Sequence, residues 1–299
     1  MSRKRMLLGS FLILLILLIP VGCIRLNNKA NKDLLLFPVQ YVDSAVEEGR
    51  SLAYRQAGNS AGQRVIYIHG SPGDAGAWIN YLKNPIAEYN HLAVDRLGYG
   101  ESITSLNDEG KPLITAVLSY KEQAEAIAPL LEEKSGKWPI VVGHSLGGPI
   151  AAQLAADYPE KVGGLLILAG SLDPAFEEPR WYTQLFASSL TRWLLPGSLK
   201  QSNREMLATL AETQALQQTL ANITCPVIVL HGADDTLVPS GNLEFMRQNF
   251  TNAHPSEFIL LPNQGHFLPW QQEGLVRELI LKLSTLQPSP ENTPATTSP

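Results

Sequence analysis

Residues 139–148 contain the pattern that most restricts how this chain can fold. A short apolar, β-branched run predicts a buried strand, and the residues after it have the composition of a helix, with Ser145 at the turn between them. So sharp a turn strains the backbone of its central residue and leaves no room for side chains two positions away, where the sequence has Gly143 and Gly147. The pattern therefore predicts an accessible serine hydroxyl at the end of a buried strand.

This turn belongs to a longer alternation of predicted strands and helices. The strands are predicted at 40–42, 50–56, 65–68, 91–94, 139–142, 162–169, 226–230 and 256–261, and the helices at 77–89, 115–133, 146–157, 204–220 and 270–283. The alternation favours an α/β fold with a mainly parallel, doubly wound sheet, and the first two strands predict a hairpin that leads into it. Right-handed crossovers bring the carboxyl ends of parallel strands to one edge, where ligands bind.

Two glycine-rich stretches carry a resemblance to a known family. GHSLG at 143–147 has the form of a GxSxG nucleophile elbow, and HGSPG at 69–73 follows another apolar strand. From about residue 49 to 283 the chain resembles the α/β-hydrolase family, in its branch with a serine nucleophile and a helical cap. The resemblance implies an oxyanion hole made by the backbone N–H groups of Ser71 and Leu146.

The sequence also predicts a cap and a set of loop-holding side chains around the site. Residues 171–222 interrupt the alternation between the sixth and seventh strands, and this aromatic-rich helical insert looks like the family's cap over the pocket. HGSPG by itself also fits an ordinary turn after a strand. His69, Asp95 and Arg96 are predicted to hold the loops around the site rather than to react.

A serine hydroxyl is a weak nucleophile at neutral pH, so it needs a base within hydrogen-bond distance and a carboxylate to orient that base. His266 follows the last predicted strand in a Gly-His-Phe sequence, from which its imidazole could reach the end of the strand before Ser145. We therefore predict His266 as the base.

The acid is predicted as Asp235. The resembling family has the pattern GxxDxxVP around its acid, and residues 232–239 match it with the aspartate at 235 rather than at 234. The order of serine, acid and histidine along the chain is also the one that this fold uses. Asp173, which follows the preceding strand, is the alternative acid.

The resemblance implies a serine hydrolase that cleaves a small-molecule carboxylic ester with an apolar part through an acyl-enzyme intermediate. Alternatives on the same fold are an aminopeptidase, a hydrolase of carbon–carbon bonds and an acyltransferase, because one scaffold serves many reactions. A non-catalytic receptor that binds a ligand in the capped pocket is an alternative of another class. The sequence shows no cofactor-binding or metal-binding motif, so we expect neither a cofactor nor a metal.

The net charge of −5 and the isoelectric point near 5.7 give the chain no electrostatic reason to bind nucleic acid.

The amino terminus of the chain indicates export. Basic residues at 3–5 precede an apolar run at 6–19 and then Cys23, which resembles a bacterial lipoprotein signal with Cys23 as the lipid-bearing residue. An uncleaved membrane anchor is the alternative, because this segment approaches the roughly 20 apolar residues that span a bilayer.

We therefore expect a protein tethered to the membrane of a bacterial cell envelope. The predicted organisation is a signal peptide or anchor with a tether at 1–33, one α/β domain at 34–286 and a polar, disordered tail at 287–299.

Overall fold

The computed structural model describes residues 32–43, 50–102, 119–178, 183–184 and 197–287. The predicted export segment with Cys23, most of the aromatic half of the cap and the tail after residue 287 lie outside these ranges. No helix among the described residues has both the length and the apolar character needed to cross a bilayer.

The described strands form a single sheet whose order is β1-β2-β4-β3-β5-β6-β7-β8. They are β1 (Gln40–Asp43), β2 (Ser51–Gly58), β3 (Gln63–Ile68), β4 (Tyr89–Val94), β5 (Ile140–His144), β6 (Gly164–Leu168), β7 (Val227–Gly232) and β8 (Ser256–Leu261). β2 runs antiparallel to β1 and to β4, and all the other neighbours are parallel. The predicted hairpin and the mainly parallel sheet are thereby confirmed.

Helices of the described residues cover both faces of this sheet. They are α1 (Ile79–Lys83), α2 (Tyr120–Ile127), α3 (Gly147–Asp157), α4 (Gly197–Gln217), α5 (Gly241–Asn249), α6 (Leu268–Gln271) and α7 (Glu273–Leu286). Successive strand residues point to opposite faces, so Ile66 and Ile68 pack with α2 and α3, whereas Val65 and Tyr67 pack with α1 and α7. Strands buried on both faces are the reason why the sequence has apolar runs rather than alternation.

Two predicted helices are shorter in the structure. The helix predicted at 77–89 ends at Lys83, because Asn84 precedes Pro85 and a residue before proline avoids the helical conformation. The helix predicted at 115–133 is α helical only from Tyr120 to Ile127 within the described residues, and it continues as a 3-10 turn that contains a proline. In both cases the apolar periodicity continues past the residues that end the helix.

The cap helix α4 lies between β6 and β7 in the chain, where the insert is predicted. It begins at Gly197, seven residues before the predicted start, and it contacts α3 and the 3-10 turn Pro174–Phe176. The insertion of a helical cap between the sixth and seventh strands is confirmed.

A buried histidine on β4 holds part of the sheet to the neighbouring loop. Nε2 of His91 accepts a hydrogen bond from the Ile86 N–H at 2.9 Å, so Nδ1 carries the proton and donates it to the Tyr67 hydroxyl oxygen at 2.7 Å. Burial, and after it the charge of Arg277, lowers the pKa of His91 to about 4. The imidazole is therefore neutral in the folded protein at neutral pH.

We expect acid to destabilise the fold partly through His91. As the pH falls, the unfolded chain binds a proton at His91 near pH 6.5, whereas the folded chain binds it only near pH 4. Stability from the neutral imidazole is therefore complete above pH 6.5 and is lost progressively towards pH 4, with a loss of about 2 kcal/mol at about pH 5. Urea denaturation at about pH 7 and about pH 5 should show a smaller loss of unfolding free energy for His91→Gln than for the wild type. Equal losses would contradict this account.

Candidate active site

Ser145 occupies the strained turn that its flanking glycines predict. Its φ is +54°, in the left-handed region that residues other than glycine rarely adopt. Its N–H donates to the Leu168 carbonyl at 3.0 Å. A Cβ at Gly143 would lie 2.3 Å from the Gly147 carbonyl oxygen, and one at Gly147 would lie 2.3 Å from the Ile68 carbonyl oxygen. Both glycines are therefore required for β5 to turn directly into α3.

Asp235 and His266 form a buried hydrogen-bonded pair at the same edge of the sheet. Nδ1 of His266 donates to Oδ2 of Asp235 at 2.7 Å, and Oδ1 of Asp235 accepts from the N–H groups of Leu237 and Val238 at 2.9 Å each. These contacts place the His266 proton on Nδ1, which leaves Nε2 with a lone pair that can accept a proton.

The environment keeps the Asp235 carboxylate ionised. Burial alone would raise its pKa, but the hydrogen bond from His266 and the one from the Val238 N–H hold the pKa below its ordinary value. The aspartate therefore carries its negative charge at neutral pH, next to the imidazole that it orients.

A glycine brings the loop of the acid against the loop of the histidine. A Cβ at Gly232 would lie 2.4 Å from the Gln264 carbonyl oxygen and 2.5 Å from that of Gly265. The Asp234 N–H donates to the Gln264 carbonyl at 2.9 Å, so the two loops are also joined through their backbones. Close packing of the two loops therefore explains why the GxxDxxVP pattern has a glycine at Gly232.

His144 holds the histidine loop beside the serine, a role that the sequence did not reveal. Its Nε2 donates to the His266 carbonyl at 3.0 Å, and the centres of the two imidazole rings lie 4.8 Å apart. Burial, and after it the neighbouring His266, lowers the pKa of His144 to about 3, so this imidazole is neutral. Since Ser145 is the next residue in the chain, this contact brings the elbow and the His266 loop into one site.

The two predicted oxyanion donors border the serine and have no acceptor within the described part of the chain. Leu146 directly follows Ser145, and Gly70 is so close that a Cβ on it would lie 2.9 Å from the Cβ of Ser145. No hydrogen bond from the N–H of Ser71 or of Leu146 is found among the described residues. Unpaired backbone donors are rare away from solvent, and beside a nucleophile they can stabilise an oxyanion.

The alternative acid lies elsewhere. The Asp173 carboxylate accepts a hydrogen bond from the Ala175 N–H at 2.9 Å and so begins the 3-10 turn Pro174–Phe176. Within the described residues it has no contact with His266, whose Nδ1 is taken by Asp235.

The loop residues have the bracing role that the sequence predicts. Nδ1 of His69 donates to the Gly70 carbonyl at 2.7 Å, and its Nε2 accepts from the Arg96 N–H at 3.1 Å. Asp95 accepts from the N–H groups of Ala75 and Glu101 at 2.6 and 3.0 Å. The Arg96 side chain also donates through Nη2 to the Gly70 carbonyl at 3.1 Å. These contacts agree with the interpretation of His69, Asp95 and Arg96 as loop-holding side chains.

A buried polar cluster beside the site was not predicted. Glu205 on α4 is 4% exposed, and its carboxylate contacts the side chains of Arg96, Tyr99 and Ser71. The sequence places Glu205 only within a cap helix, where a glutamate is usually solvated. No local pattern distinguishes this one from the other acidic residues of the helix.

Comparisons with known proteins agree with this fold. Residues 63–195 match the family model of the alpha/beta hydrolase fold. A 2-hydroxy-6-oxononadienedioate/2-hydroxy-6-oxononatrienedioate hydrolase from a Pseudomonas species is 25% identical over 271 residues, which cover 77% of this chain and 90% of the relative. A 2-hydroxy-6-oxo-6-phenylhexa-2,4-dienoate hydrolase from Comamonas testosteroni is 27% identical over 258 residues, which cover 73% of this chain and 86% of the relative.

A solved structure shows the same fold at lower identity. The crystal structure of a carboxylesterase from Bacillus subtilis matches this chain with a TM-score of 0.60 and 17% identity. The match covers 87% of this chain and 97% of the esterase.

We expect Gly143→Ala to destabilise the protein. The new Cβ would meet the backbone oxygen of Gly147, which can move only if the elbow opens. The free energy of unfolding, measured with urea, should fall by about 2 kcal/mol or more. The control is Gly274→Ala in α7, where a Cβ meets nothing within 4 Å and the free energy should stay the same or rise slightly. Equal stability of the two variants would show that the elbow tolerates a side chain.

Proposed function

We propose that this chain, a member of the α/β-hydrolase fold family, is a serine hydrolase that cleaves a small-molecule carboxylic ester. The observation that supports this most is the buried pair of Asp235 and His266, which orients an imidazole against His144, the residue that precedes Ser145 in the strained elbow. An ionised carboxylate, a neutral imidazole with a lone pair on Nε2 and a serine hydroxyl are the groups that acyl transfer requires.

The proposed reaction has two steps. His266 removes the proton of the Ser145 hydroxyl as its oxygen attacks the ester carbonyl, and the N–H groups of Ser71 and Leu146 stabilise the negative charge on the carbonyl oxygen. His266 then gives its proton to the leaving alcohol, which breaks the ester bond and leaves an acyl group on Ser145. In the second step His266 activates a water molecule that releases the acid and restores the hydroxyl.

Exposed apolar side chains next to the site support a substrate with an apolar part. Leu237 and Phe267 are 50% and 51% exposed, and they closely follow Asp235 and His266 in the chain. Trp270 is 42% exposed, and its ring lies 5.3 Å from that of His144. Large apolar groups that remain exposed beside a site commonly contact a ligand.

Cleavage of a carbon–carbon bond is the second candidate. The two relatives described above are named as hydrolases of 2-hydroxy-6-oxo dienoates, which contain ketone and carboxylate groups but no ester bond. Those compounds carry a carboxylate that needs a cationic partner. Arg96, the described arginine that contacts the HGSPG loop, is already paired with Glu205, so we place the ester first.

We also propose that the enzyme acts outside the cytoplasm, tethered by its amino-terminal segment. The basic residues, the apolar run and Cys23 in the first 24 residues support this proposal. A tether would hold the catalytic domain at a membrane surface, where substrates with apolar parts accumulate.

We expect a fluorophosphonate probe to label the wild-type protein and not Ser145→Ala. The reagent reacts with an activated serine hydroxyl, which the variant lacks, so labelling should be lost while the urea denaturation curve changes little. A panel of p-nitrophenyl esters and a 2-hydroxy-6-oxo dienoate, measured with both proteins, should show hydrolysis of the esters by the wild type alone.

Each other result has a distinct meaning. Labelling that persists in Ser145→Ala would place the nucleophile elsewhere. Turnover of the dienoate without the esters would favour the second candidate, and a folded wild type that is neither labelled nor active would favour the receptor.

We expect Asp235→Asn to lower kcat about 10³- to 10⁴-fold with little change in KM. The amide cannot hold the His266 proton on Nδ1 or stabilise a positive imidazole. The matched control is Asp173→Asn, whose carboxylate caps a 3-10 turn and should be dispensable for the chemistry. Steady-state kinetics on one ester would show this difference, and comparable losses would remove Asp235 as the acid.

A further inference from the structure

Two side chains fix the peptide unit between Gly70 and Ser71 through hydrogen bonds to its carbonyl oxygen. The Gly70 carbonyl accepts hydrogen bonds from Nδ1 of His69 at 2.7 Å and from Nη2 of Arg96 at 3.1 Å. A peptide unit is planar, and in its trans form the C=O and N–H bonds point in opposite directions. Two side chains that hold the Gly70 oxygen therefore also set the direction of the Ser71 N–H.

Arg96 is held in turn by a residue of the cap. Its side chain is fully buried, and it donates through Nη1 to Oε1 of Glu205 at 2.8 Å and through Nη2 to Oε2 at 3.2 Å. Two hydrogen bonds from one guanidinium to one carboxylate restrict its orientation as well as its position. Burial alone would lower the pKa of Arg96, but the Glu205 carboxylate holds it above its ordinary value.

Glu205 also contacts the loop directly. Its Oε2 accepts hydrogen bonds from the hydroxyls of Tyr99 at 2.6 Å and Ser71 at 2.5 Å. The Arg96 guanidinium lies 4.7 Å from the centre of the Tyr99 ring, so the same four side chains form one compact cluster. The cluster joins α4, the loop after β3 and the loop after β4.

We propose that Glu205 and Arg96 are positioning residues, through which the cap helix α4 orients the Ser71 N–H in the oxyanion hole. The inference rests on the function proposed above and adds to it a means by which the cap controls the catalytic donor. A hydrogen bond to the carbonyl of a peptide also polarises its N–H, so Arg96 strengthens the donor that it orients. Neither residue is required to touch the substrate.

This arrangement makes catalysis depend on the cap. A buried guanidinium is stable only with its counter-charge, and the described carboxylate that pairs with Arg96 belongs to α4. When α4 moves away, Arg96 loses that partner and the Gly70–Ser71 peptide loses one of the two groups that hold it. The oxyanion hole is therefore complete only while the cap is docked on the body.

The test compares two glutamates of the same helix. Glu205→Gln removes the charge that holds Arg96, whereas Glu212→Gln alters a carboxylate that accepts from the Tyr120 N–H at 3.0 Å and has no contact with the HGSPG loop. For Glu205→Gln we expect kcat to fall at least about tenfold with KM changed by less than about threefold, because orientation of a donor acts on the transition state. Glu212→Gln should keep kcat within about twofold of the wild type.

A second readout separates positioning from a merely structural role. A boronic acid forms a tetrahedral adduct with an activated serine and places an oxygen in the oxyanion hole, so its inhibition constant should rise by about the same factor as kcat falls. Loss of stability alone would lower the amount of folded enzyme without changing this constant.

A further variant addresses the chance that an unpaired buried arginine prevents folding. Replacing both partners in Arg96→Met with Glu205→Met removes the two charges together, and buried ion pairs are often replaced by apolar residues without loss of stability. We expect this double variant to fold and to show the same loss of kcat and of boronic acid affinity.

Unchanged kcat and boronic acid affinity in the folded double variant would overturn the inference. Equal losses in Glu205→Gln and Glu212→Gln would also overturn it, because they would assign the effect to cap docking in general. Failure of the proposed function is distinguishable, since the wild type would then show neither probe labelling nor ester hydrolysis.

Discussion

The hydrogen bond between the buried Asp235 carboxylate and Nδ1 of His266 is the interaction on which the site depends. A buried carboxylate is costly unless its charge is compensated, and here two backbone N–H groups and the imidazole share that compensation. The same bond selects the tautomer of the histidine, so in our proposal one contact contributes to both stability and reactivity. If the bond were absent, the imidazole would have neither a defined orientation nor a counter-charge.

Close approach of backbones brings the loops of this pair and the serine turn to one edge of the sheet. Gly143, Gly147 and Gly232 stand where a side chain would collide with a neighbouring carbonyl. The parallel strands end at one edge of the sheet, and at that edge the loops after β5, β7 and β8 are packed together, partly through His144. The site is thus a product of sheet geometry and of glycines at two turns.

The cap adds a second layer of control in our proposal. Its helix α4 places a carboxylate among Arg96, Tyr99 and Ser71, and this cluster reaches the peptide that carries one oxyanion donor. A charge pair between two parts of the fold is well suited to this purpose, because it loses its stabilisation when the parts separate. A single peptide unit would then link the position of the cap to the chemistry proposed for Ser145, Asp235 and His266.

Much of the fold and of the site was predictable from the sequence because it depends on local patterns. Apolar runs and their spacing determined a mainly parallel sheet with an inserted helical cap, and the glycines around Ser145 determined a strained turn. The ends of the helices were less predictable: the predicted helix at 77–89 ends at Lys83, since periodicity does not register the effect of Pro85. Only the tertiary structure decided that Asp235 and not Asp173 pairs with His266, and that Glu205 is buried against Arg96, 109 positions away in the chain. Local sequence specifies backbone shape and apolar spacing, whereas the partner of a charged side chain depends on which distant segments the folded chain brings within hydrogen-bond distance.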